Sequence, residues 1–207
     1  LPAFFLYIAG IFTNFLFVGK SKVVWRLILF LCVCAPLLAQ KSPAALRARL
    51  RAATDTSNPD SLAHALAWIG YYHLSQQNHD SALYFYRKSL HYTELTGNKA
   101  FSAGNLNNLG ILYLRLGSLD SSIYYLNEAH GRYRSINDSA TATVLEINIG
   151  SLYFQRGLYE KSLEYLLSAA YKLEKSEPSD NLATCYNTIG NIYTKTDEPY
   201  TALVYLR

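Results

Sequence analysis

The sequence has no methionine in 207 residues and only three cysteines. Two of those, Cys32 and Cys34, lie inside an apolar run near the N-terminus, so the rest of the chain keeps one thiol, Cys185. One thiol makes no internal disulfide, and no His or Asp is patterned around it, so a buried structural cysteine is expected. The five histidines, His64, His73, His79, His91 and His130, show no HExxH spacing and no companion cysteines, which leaves no zinc signature. No GxxxxGKS/T or GxGxxG segment is there to cradle a phosphate, and no GxSxG elbow is there to present a nucleophile. Glu160 and Glu164 stand one helical turn apart, where a solvated face accounts for them. No catalytic residue, metal or cofactor is assigned, and the stretch is expected not to be an enzyme.

Acid is missing from the first 39 residues, which carry Lys20, Lys22 and Arg26. Beyond them the balance is 16 basic residues against 15 acidic, so charge gives no reason to expect a nucleic-acid partner. Residues 1–39 are strongly apolar. From Lys20 they have a basic start, a core at Leu27 to Cys34 and a small residue, Ala39, before Gln40: the parts of a secretory signal. An uncleaved membrane anchor is the alternative, because 1–19 is itself an apolar run of marginal spanning length. Either places the remainder of the chain outside the cytoplasm, exported or membrane-anchored in a periplasm or cell envelope. Leu31 and Val33, which precede Cys32 and Cys34, are not the small residue that lipidation requires. Position 1 is not Met and Arg207 falls inside a repeat, so both ends are expected to be cut or misplaced, with Leu203 and Leu206 left uncovered.

What the chain does have is a period of 40 residues. Ile69-Gly70, Leu109-Gly110, Ile149-Gly150 and Ile189-Gly190 fall in register. Three residues on comes a ring: His73, Tyr113, Tyr153 or Tyr193. Twelve on comes a small residue, Ala82, Ser122, Ser162 or Ala202, and sixteen on a bulky one, Tyr86, Leu126, Leu166 or Leu206. Apolar, small and ring positions at spacings of three and four share one helical face. Two antiparallel helices, A and B, are expected per unit, with the B-helix small residue opposite the glycine and bulky residues to either side. One such pair cannot bury its stripe alone, so the units stack into an all-α solenoid.

Gly117 and Gly157 suit the A–B turn, where Gln77-Asn78 and Asp197-Glu198-Pro199 take their place in the outer units. Asp80 and Asp120 stand where a side-chain oxygen caps helix B. Ahead of the array, SPAALRARLRAA opens as a helix capped by Ser42, with Arg47, Arg49 and Arg51 on a solvated outer face or, as the alternative, making an anionic contact, and TDTSNP (54–59) reads as a loop. The resulting domains are 1–39 (signal or anchor), 40–60 (helix and loop) and 61–207 (array), with repeats near 61–100, 101–140, 141–180 and 181–207. Many of the 18 tyrosines fall on helix B, as amphipathic rings bridging core and water.

On these residues the pattern resembles the tetratricopeptide repeat. The second unit matches with Leu106, Leu109, Gly110, Tyr113, Ser122, Leu126 and Ala129. The third matches with Ile149, Gly150, Tyr153, Ser162, Leu166 and Ala169, with Glu146 where a large apolar residue is usual. The period exceeds the family's standard of about 34 residues, as in its extended variants. The resemblance implies a right-handed α-solenoid that binds a protein or peptide on a concave wall lined by helix A. The candidate contacts it implies are Tyr71, Leu74, Asn107, Ile111, Arg115, Ile147, Phe154, Gln155, Asn187, Asn191 and Lys195. A clamp for a terminal carboxylate is not expected, because Ala67, Gly104 and Asn107 stand where its lysines belong. The resemblance extends to bacterial envelope sensors, in which such an array is the input domain of a histidine kinase or transcriptional regulator.

Overall fold

The computed structural model describes residues 43–55, 58–175 and 179–206. The chain divides into two compact units, Leu1–Ala45 and Leu46–Arg207, and almost everything described belongs to the second. The signal-or-anchor reading of residues 1–39 and the cap at Ser42 lie outside the described residues.

Among the described residues all regular structure is helical. A leading helix, α1 (Pro43–Asp55), is followed by four hairpins: α2 (Pro59–Ser75) with α3 (His79–Thr96), α4 (Lys99–Arg115) with α5 (Leu119–Ser135), α6 (Ser139–Gln155) with α7 (Tyr159–Leu173), and α8 (Asp180–Lys195) with α9 (Pro199–Tyr205). Helices A are α2, α4, α6 and α8. Each packs on its own helix B, and α4, α6 and α8 also pack on the B helix before them. The result is an α-solenoid. No described helix is long and apolar enough to cross a membrane.

Side-chain oxygens start most of these helices. Asn58, Asn78, Asn98, Asp138 and Ser179 accept from backbone amides two or three residues on, at 2.9 to 3.4 Å. Asp80 and Asp120 are not caps. They sit in the first turn of α3 and α5, where only their charge favours the helix dipole, and Asp120 is paired with Arg156 of the next unit. The A–B turn repeats one left-handed residue in every unit: Gln77 (φ 59°), Gly117 (74°), Gly157 (76°) and Asp197 (63°). The expected loop at 54–59 is shorter. Thr54 and Asp55 complete α1, with the Thr54 hydroxyl bonded back to Leu50 and Arg51 carbonyls, and Pro59 already belongs to α2.

The glycine column works differently from the sequence expectation. A Cβ at Gly70, Gly110, Gly150 or Gly190 would stand 2.5 to 2.9 Å from the side chain of Tyr86, Leu126, Leu166 or Leu206. The bulky residue sixteen places on therefore fills the space the glycine leaves, while the small residue admits close backbone. At Gly150 the Ser162 carbonyl is 3.3 Å from that Cβ position, and the Ser162 hydroxyl donates to the Gly150 carbonyl at 2.7 Å.

A further column escaped notice in the sequence. The ring three residues after each glycine pairs with another fifteen after it: His73 with Phe85, Tyr113 with Tyr125, Tyr153 with Tyr165 and Tyr193 with Tyr205, at 5.2 to 5.8 Å between centroids. These pairs tie each A helix to its B helix at the turn end. The core runs across unit boundaries: Leu106, Leu126 and Ala129 pack with Leu145 and Ile149, and Ile147 and Leu166 pack with Cys185 and Ile189.

Candidate interaction surface

Each A helix turns one stripe outward, at spacings of four, three and four. In α2 this is His64, Trp68, Tyr71 and Ser75, all exposed. The same register gives Gly104, Asn108, Ile111 and Arg115 in α4, Val144, Asn148, Ser151 and Gln155 in α6, and Thr184, Thr188, Asn191 and Lys195 in α8. These positions are exposed or half-buried throughout.

Six of the residues assigned from sequence lie on this stripe: Tyr71, Ile111, Arg115, Gln155, Asn191 and Lys195. Two assignments are corrected. Leu74 is 7% exposed, packed with Ala82, Tyr86, Leu109 and Leu112, and Ile147 is 4% exposed among Leu166, Ala169, Cys185 and Ile189. Both belong to a neighbouring stripe, formed by residues seven apart such as 67 and 74 or 147 and 154, which turns toward the adjoining unit. Asn107 and Phe154 lie on that same stripe and are half-buried, with Phe154 against Tyr159. Asn187 has the same register, but it is exposed in α8.

Trp68, Asn108 and Asn148, which share one register on the open face, were missed in the sequence. The signal was available in the helical period, because 64, 68, 71 and 75 continue one another around a turn of 3.6 residues.

The stripe is aromatic at one end and amide-rich further on. Trp68 meets Tyr71 edge-on at 6.2 Å, and His64 stacks on Phe101 of the next A helix at 3.8 Å. The Arg49 guanidinium of α1 lies 5.4 Å above the Trp68 ring. Between α1 and α2 runs an open groove of about 440 Å³, lined by Arg49, Ala52, Ala53, Ser61, His64, Ala65 and Trp68. No carboxylate stands on the stripe. The acids of the four A helices are Asp60, Glu146 and Asp180. Asp60 and Asp180 are in first turns, and Asp60 accepts from the Thr96 hydroxyl at 2.8 Å. Glu146 is buried, with Lys172 at 2.6 Å and His130 at 3.0 Å.

Polar groups away from the stripe mostly join units. Arg87 donates to the Tyr113 hydroxyl at 2.6 Å, and the Tyr165 hydroxyl donates to Asn127 at 2.7 Å. Arg132 reaches Glu94 and Ser102 of the preceding helices. Cys185 is fully buried, and burial pushes its thiol up to about 11, which leaves almost no thiolate near neutrality. Among the described residues no group of three or more His, Cys, Asp or Glu side chains is placed to hold a metal ion.

No protein-family model matches the chain, and no curated protein sequence matches it. Solved structures share its fold. A putative kinesin light chain from Podosopora anserina, with nearly identical TPR-like repeats, superposes with a TM-score of 0.66 at 11% identity over 91% of this chain and 94% of that one. BtubC (BKLC) from P. vanneervenii gives 0.65 at 17% identity over 72% of this chain, which spans 61% of the BtubC chain. MamA gives 0.59 at 16% identity over 78% and 82%. The architecture is that of the tetratricopeptide-like repeat solenoids.

Proposed function

We propose that the chain is a protein-binding scaffold whose A-helix stripe holds an extended or helical segment of a partner protein. The observation that carries this is the stripe itself: one register, exposed or half-buried across four units, presenting aromatic, aliphatic and amide groups together. Asn108 and Asn148 recur there 40 residues apart, and an amide side chain both donates to and accepts from a peptide backbone. Exposed Trp and Tyr offer large contact area at small entropic cost. The near-neutral balance beyond residue 39 favours a protein over a nucleic acid. Residues 20–39 support an exported or anchored location, which protease accessibility in intact cells tests.

Peptides selected by display against the chain should lose at least about tenfold in affinity on Ile111→Asp combined with Asn148→Asp, with the helical circular dichroism unchanged. Binders indifferent to those changes but lost on Tyr84→Ala with Tyr124→Ala would move the site to the exposed rings of the B helices and overturn the reading.

A further inference from the structure

We infer that the groove between α1 and α2 is a subsite for an acidic residue adjacent to a bulky apolar one in the bound segment, which rests on the scaffold reading above. Four observations converge there. The floor is methyl groups of Ala52, Ala53 and Ala65, and one wall is Trp68, 43% exposed, so the groove offers apolar surface that an aliphatic or aromatic side chain would cover. Its volume of about 440 Å³ is of the size that receives a side chain and its neighbours. The guanidinium of Arg49 is the charged group in the lining, held over the Trp68 face with its edge donors available to a carboxylate. Arg47 and Arg51 are exposed on the same helix, and among the described residues none of the three arginines forms an ion pair.

The stripe that continues from the groove reinforces the same sign. It carries Arg115 and Lys195 and no acid, whereas exposed carboxylates are plentiful on the B helices, at Asp80, Asp120, Glu128, Glu160 and Glu164. A segment bearing aspartate or glutamate is attracted at Arg49 and at Arg115 and Lys195 further along, and one bearing lysine or arginine is repelled there. The cation here comes from the helix ahead of the array. It is not one of the A-helix positions, Ala67, Gly104 and Asn107, that lack charge.

The test is selection from a random dodecapeptide phage library against the 207-residue chain, followed by fluorescence anisotropy of the selected peptides. Selected peptides should place Asp or Glu beside Leu, Ile, Phe or Trp. Their affinity should fall about tenfold on Arg49→Glu, hold within about threefold on Arg49→Lys, and weaken as salt rises. Trp68→Ala should weaken the same peptides while a peptide lacking the apolar neighbour is indifferent to it. Peptides rich in Lys or Arg, peptides without charge bias, or acidic peptides indifferent to Arg49→Glu would each overturn the subsite. If those peptides still depend on Ile111 and Asn148, the scaffold reading survives without it. A library that yields no binder overturns both.

Discussion

Glu146 occupies the register that Leu106 holds 40 residues earlier, yet its side chain is only 6% exposed. Burial raises its carboxyl, but hydrogen bonds from His130 and Lys172, with the Lys172 charge, outweigh that and hold it below the ordinary 4.5. Glu94 is shifted the same way: burial is opposed by hydrogen bonds from Ser102 and Arg132. A carboxyl depressed in the folded state adds stability that is present above the unfolded value, and the contribution is lost as pH falls through the folded one. The thermal midpoint should therefore drop as pH falls below 4.5, and Glu146→Gln should flatten that limb in a series of circular dichroism melts. At neutral pH Glu146→Ala should cost about 2 kcal/mol, because His130 loses its partner while Lys172, 40% exposed, turns to water. Glu146→Leu should cost less, since an apolar side chain of similar length fills the position as Leu106 does. A larger loss with Leu than with Ala would refute this account of the cluster.

The four A–B turns solve one backbone problem with two chemistries. Gln77 and Asp197 take the left-handed conformation that Gly117 and Gly157 adopt without steric cost, and that conformation disfavours an L-residue by about 1 kcal/mol. Gln77→Gly should raise stability in urea by up to that amount, and Gly157→Ala should lower it similarly. Within α5, a methyl added at Gly131 would meet nothing within 4 Å, so Gly131→Ala should stabilise the helix by about 1 kcal/mol. Gly110→Ala drives its methyl to 2.7 Å from Leu126 and should cost about 1 to 3 kcal/mol. Helices, turns and glycine column were legible in the sequence because each rests on spacing within one unit. The ring fifteen residues after each glycine was equally periodic and went unread, since Phe85, Tyr125, Tyr165 and Tyr205 lie among other B-helix aromatics. What local spacing does not encode is the rotation of one hairpin against the next. That rotation buries Leu74 and Ile147, and it brings His130, 16 residues away, to Glu146, whose other partner Lys172 comes from its own hairpin. The interaction stripe was thus half legible: its register follows from helix A alone, its edges from the neighbouring unit.

Across the array, stability is a sum of hairpins and of the interfaces between them. The hairpins in the middle have neighbours on both sides. Leu109, Leu112 and Ile149 are fully buried, and the Glu94–Arg132 and Glu146–Lys172 pairs each reach between helices of the same or consecutive hairpins. At the far end α9 is seven residues long and packs on α8, with Leu203 53%, Val204 73% and Leu206 45% exposed. A nearest-neighbour array opens first where an element has contacts on one side only. Hydrogen exchange of the 207-residue chain should accordingly be slowest for amides in α4 and α6 and fastest in α9, with α8 between them. A peptide seated on the stripe of α2, α4 and α6 ties those hairpins together, so its addition should slow exchange there and leave α9 unchanged. Equal protection from α2 to α9 would show instead that the hairpins unfold as one cooperative block, and a peptide that slows α9 as much as α4 would place its contacts on the last hairpin.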